Sequence, residues 1–96
     1  MSPLGLTVVD VEGRMVGRVE DTFPYDGCTY EFAVVRLGRG RFGQSRMVPL
    51  SGAVRDDDVL QMPHTFAEID DAPTAERSRY GVEPEALARA YWMAVV

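Results

Sequence analysis

The stretch RLGRGRFGQSR, residues 36–46, is where the side chains best suited to binding gather. Arg36, Arg39, Arg41 and Arg46 carry planar guanidiniums that fit phosphate or carboxylate, and Phe42 offers a face on which a base can stack. Arg39, Arg41 and Phe42 are therefore candidate partner-binding residues. The same residues also have a plainer use. Gly38, Gly40 and Gly43 suit the tip of a hairpin, with the guanidiniums solvated or paired to nearby acids. Strand alternation would put Arg39 and Arg41 on one face and Arg36 on the other, so the spacing builds no continuous basic face. A single RGRFG also falls far short of an RGG tract. A hairpin tip is the expectation, with nucleic acid and an acidic protein surface as the alternatives.

The rest of the chain offers little chemistry. All ten basic residues are arginine, which excludes a Schiff-base lysine and the lysine of a phosphate-cradling loop. His64 is the single histidine, so no His pair can hold a metal. Ser51 and His64 are a conceivable nucleophile and base, but a hydroxyl capping a turn accounts for Ser51 better. Asp56, Asp57 and Asp58 could hold a hard cation, which wants several oxygen ligands. Consecutive turn residues point different ways, however, and a solvated turn is the simpler reading. Cys28 is the single cysteine and cannot form an internal disulfide. Among fifteen acids no motif selects a catalytic pair. We expect no catalytic residue, no metal and no cofactor.

The net charge of −5 opposes general attraction to nucleic acid or anionic lipid. It is uneven: residues 1–48 carry six Arg against six acids, residues 49–96 four against nine. With 46% apolar and 26% charged residues the chain reads as a soluble globule, one small domain with a modest core. The start, MSPLGLTVVDVEG, lacks the basic region of a signal peptide. The longest apolar run, ALARAYWMAVV, is shorter than the ~20 residues that cross a bilayer. A cytoplasmic protein without a membrane span is expected.

The elements that would position these residues are mostly strands. Leu6–Val9 reads as the first, stopped by a turn at Gly13. RMVGRVEDTF is the second; Val16 and Val19 would fall on opposite faces unless Gly17 hosts a bend or bulge. Asp26–Gly27 signals a hairpin, and TYEFAVVRL, apolar on both faces, reads as the central strand. In SRMVPLS, Pro49 restricts its strand to an edge, an end or a bulge. GAVRDDDVLQMP holds two short strands around the acidic turn. Thr65 and Glu68 have the spacing of a capping box, predicting one helical turn that ends before Pro73. Pro84 suits a first helical position, and Leu87, Ala88, Tyr91, Trp92 and Val95 then recur as an apolar stripe.

VVDVEGRMVGRVED, YEFAVVRLG, RMVPLSGAV and VLQMPHTFAEIDDAP follow one another in an order that resembles the PRC-barrel family. That family is the small β-barrel shared by photosynthetic reaction-centre H subunits and a ribosome-maturation factor. The resemblance covers three quarters of the chain and implies a six-stranded barrel that docks proteins, sometimes in ribosome assembly. It brings no catalytic residues. We therefore expect an all-β fold, a PRC-type barrel over residues 4–73, followed at 74–96 by a polar linker and an amphipathic C-terminal helix. The function expected is a non-enzymatic protein-binding adaptor, with an RNA- or ribosome-associated assembly factor as the alternative. Tyr91 and Trp92, beyond the part a barrel needs, are candidate partner-binding residues and a basis for a homodimer. The stripe could equally close the chain's own barrel.

Overall fold

The computed structural model describes residues 3–23, 31–38, 44–74 and 84–95. Six strands form one mixed sheet: β1 (Thr7–Val9), β2 (Met15–Phe23), β3 (Phe32–Leu37), β4 (Ser45–Pro49), β5 (Val54–Asp56) and β6 (Val59–Gln61). Two helices follow, α1 (Phe66–Asp70) and α2 (Pro84–Val95). The strand order is β4-β3-β2-β1-β6-β5, antiparallel except for the parallel pair β1–β6. β4 and β5 are the two edges, so the sheet is open. The expected hairpin at Asp26–Gly27 and the lone Cys28 lie outside the described residues.

Local signals set most of the element ends. Gly13 takes φ 85° in the β1–β2 turn, a conformation that costs glycine nothing. Asp10 is buried there, and its Oδ1 accepts the amide N–H groups of Glu12 at 2.9 Å and Arg14 at 2.8 Å. Asp57, at φ 59°, turns β5 into β6. Thr65 caps α1: its hydroxyl oxygen accepts the Glu68 N–H while the Glu68 carboxylate accepts the Thr65 N–H. Pro84 opens α2, and Pro49 ends β4, which is also an edge.

Long-range packing corrects two expectations. β3 is buried on both faces through Phe32, Ala33, Val34 and Val35, as its composition predicts, but it is second from the β4 edge rather than central. Gly17 does not itself bulge. The register slips between Val8 and Val9 opposite Gly17 and Met15, which leaves Val16 as the extra residue. A second slip leaves Glu20 unpaired opposite Val35 and Val34. Together the two slips turn Val16, Val19 and Thr22 into the interior. Gly17 serves another purpose: a Cβ there would lie 1.9 Å from the Arg36 carbonyl oxygen. Only a residue without a side chain lets β2 approach β3 this closely.

One cluster forms the core: Val8, Val16, Val19, Val35, Val48, Leu60, Met62, Ile69 and their neighbours, with Ala88 and Trp92 from α2. After β6 the chain passes through α1 and returns to the opposite edge of the sheet. There the Met47 N–H donates to the Pro73 carbonyl oxygen at 2.8 Å.

Candidate functional site

An edge strand presents unpaired backbone groups that invite another strand. β4 pairs inward with β3, and the N–H and C=O of Met47 face out. Both are satisfied within the chain. Pro73 takes the N–H, and the Trp92 indole Nε1–H donates to the Met47 oxygen at 2.7 Å. Next to them the Arg46 Nε–H donates to the Asp70 oxygen at 2.8 Å. Trp92 is thus 6% exposed, a cap on its own sheet rather than a free surface.

Tyr91 lies edge-on to Trp92, with ring centroids 5.0 Å apart, and its hydroxyl donates to the Glu68 carbonyl oxygen. Burial, then the carboxylates of Asp71 and Glu68, push that hydroxyl above its ordinary pKa. Arg89 clasps Glu31 through two hydrogen bonds, Nε at 2.8 Å and Nη2 at 2.5 Å, and holds the Glu31 carboxyl below its usual range. The apolar stripe of α2 therefore divides. Ala88 and Trp92 are buried and Tyr91 half-buried, whereas Leu87 is exposed, as is Met93 elsewhere on the helix.

At the base of the Arg-Gly segment the described residues act as a hairpin stem. The Leu37 N–H donates to the Gln44 oxygen and the Gly38 N–H to the Val16 oxygen, each at 2.8 Å. Arg36 Nη1 is 3.8 Å from Glu20 Oε2, and the Ser45 hydroxyl donates to the same carboxylate. Arg46 Nη2 reaches Gln44 Oε1 at 2.5 Å. Arg39, Arg41 and Phe42 lie outside the described residues.

The structure brings together a group of residues that motif reading passes over. Pairing registers align Val54, Gln61, Val9 and Met15 as one row across β5, β6, β1 and β2. The next row is Asp56, Val59, Thr7, Arg18, Arg36 and Ser45, which spans all six strands. Partners in register share a face, and Val8 and Leu60, one residue along, point into the core. Both rows therefore lie on the outer face. Met15 is 59% and Val54 61% exposed, and Val11 is exposed beside them. Gln61 Nε2 ties Val11 to the row by donating to its carbonyl oxygen at 3.2 Å. An apolar strip thus adjoins a charged strip holding Arg18 and Arg36. The signal was present in the adjacent pairs Val8–Val9 and Met15–Val16, apolar on both sides of a strand.

Neither a family model nor a curated protein matches this chain. Among the described residues no three His, Cys, Asp or Glu side chains gather as a metal site, and Asp56, Asp57 and Asp58 stand in the β5–β6 hairpin. Ser51 is exposed in the turn after β4, while the His64 imidazole rests against Trp92. No helix among the described residues is long and apolar enough to cross a membrane.

Proposed function

We propose that this chain is a non-enzymatic protein-docking module of PRC-barrel type that binds through the outer face of β5, β6, β1 and β2. The observation that carries the reading is the row Val54–Gln61–Val9–Met15, with Val54 and Met15 exposed and Val9 half-buried, on a sheet whose other face is filled by core. Aligned apolar side chains on an outer face mark an interaction surface more often than scattered ones do. The adjoining Arg18 sets the rest of the partner's chemistry: apolar side chains for the first row and a carboxylate opposite Arg18, Arg36 being paired with Glu20. The barrel reading is supported by six strands in one sheet, by two bulges that bend β2, and by the return of Pro73 to the β4 edge.

The test is affinity capture from the native cell with the wild type and with Met15→Asp/Val54→Asp. A protein held by the wild type, lost by the variant and cross-linked to β1, β2 or β6 supports the proposal. A protein held equally by both overturns the face. Nuclease-sensitive capture would move the reading to an RNA- or ribosome-associated factor. A second copy of the chain, detected by sedimentation, would identify the partner as self.

A further inference from the structure

Between β6 and α1 stands His64, and its imidazole lies against Trp92 with ring centroids 4.3 Å apart and planes tilted by 42°. Its Nε2 is buried and has no hydrogen-bond partner. This contact is the back of the seal on β4, because the same indole donates to the Met47 oxygen.

The groups around His64 decide what a proton there would do. On α1, Glu68 favours the charged ring, but its carboxylate is already turned onto the Thr65 N–H and hydroxyl, at 2.8 and 3.1 Å. On α2, Tyr91 contributes a neutral hydroxyl, which also senses Asp71. On β4, Arg46 is engaged by the Asp70 oxygen. In the β1–β2 turn, whose Val11 N–H donates to the His64 carbonyl oxygen at 2.9 Å, Asp10 is spent on the amides of Glu12 and Arg14. None of these groups is hydrogen-bonded to Nε2. An imidazolium over an indole gains cation–π attraction. It would also bury an N–H with no acceptor, which costs more than that gain.

We propose that His64 is an acid-sensitive latch: its protonation releases α2 from β4, withdraws Trp92 from Met47 and bares the Met47 carbonyl on that strand edge. Desolvation outweighs Glu68 and holds the ring below its ordinary pKa of 6.5. His64 therefore binds the proton more readily when α2 is released than when it is docked. The docked state keeps its full advantage above pH 6.5 and loses it as pH falls towards the lower docked value. The latch does not depend on the docking face proposed above and would act whether or not that face binds a partner.

Trp92 is the single tryptophan, so its emission maximum reports the latch directly. In the full chain, lowering the pH from about 7.5 to about 5, the range in which histidine titrates, should shift that maximum to the red. The protection factors of the α2 amides, taken relative to intrinsic exchange at each pH, should fall, while those of β1–β3 are kept. His64→Phe keeps a ring against Trp92 but cannot titrate, and its maximum and α2 protection factors should stay flat. His64→Gln serves the same purpose should the Phe variant not fold. An unshifted wild type, an equal shift in the variant, or simultaneous loss of β1–β3 protection would each overturn the latch.

Discussion

Replacing Gly17 by alanine adds one methyl group where no room exists. That carbon would sit 1.9 Å from the Arg36 oxygen, 2.8 Å from the Arg36 carbonyl carbon and 3.1 Å from the Leu37 Cα. All three are backbone atoms, so no side chain can swing aside. Relief to the 3.0 Å below which Cβ contacts essentially never occur means moving the strands apart by about 1 Å. Overpacking alone costs ~1–3 kcal/mol, and each ladder hydrogen bond lost with it adds about 1 kcal/mol. The sum, roughly 3 kcal/mol, is a large part of the ~5–15 kcal/mol that holds a domain folded. At a urea slope of about 1.5 kcal/mol/M the midpoint should fall by about 2 M with the slope unchanged. Gly13→Ala is the control. It meets nothing within 4 Å and bears only the left-handed penalty of φ 85°, about 1–2 kcal/mol. A Gly17→Ala midpoint near wild type, or above that of Gly13→Ala, would refute the close approach of β2 to β3.

Other perturbations probe the helices. Trp92→Ala should cost ~3–5 kcal/mol in urea unfolding without a change in mass by light scattering, since the indole fills its own core; a folded monomer arising from a wild-type dimer would contradict this. Trp92→Phe keeps most of the bulk but strands the Met47 carbonyl, and should cost ~1–3 kcal/mol by the same assay. Thr65→Ala removes the α1 cap and should cost ~0.5–2 kcal/mol, read as a lower urea midpoint. The Thr65 backbone amide, ahead of the Thr65 hydroxyl and His64, lowers the pKa of Glu68. The box therefore stabilises the fold above pH 4.5 and loses that contribution as pH falls through the lower folded value, seen as a fall in the protection factors of α1 amides relative to intrinsic exchange at the same pH.

What could be read in advance was local. The Thr65–Glu68 box, Pro84 at a helix start, Pro49 on an edge and Gly13 in a turn each need only a few neighbouring residues. What could not be read joins distant parts of the chain. Nothing around Trp92 points to the Met47 carbonyl, 45 residues earlier, so a large aromatic on a terminal helix suggested an interface when it is an edge cap. The spacing of Val16 and Val19 called for an irregular β2, and the structure has it, but the bulge falls on Val16. Gly17 answers to the Arg36 carbonyl, a partner visible only once β2 and β3 are paired. The outer row escaped for the same reason: Val54, Gln61, Val9 and Met15 fall in one row only once β5, β6, β1 and β2 are paired in register.

Hydrogen exchange of the full chain, alone and with the protein it captures, tests the docking face most directly. The account predicts slowed exchange confined to β1, β5, β6 and the first half of β2, around Val9, Met15, Arg18 and Val54, with α2 unchanged. Protection that appears on α2 around Leu87 and Met93 instead, leaving the β1–β2 and β5–β6 amides as they were, would contradict it.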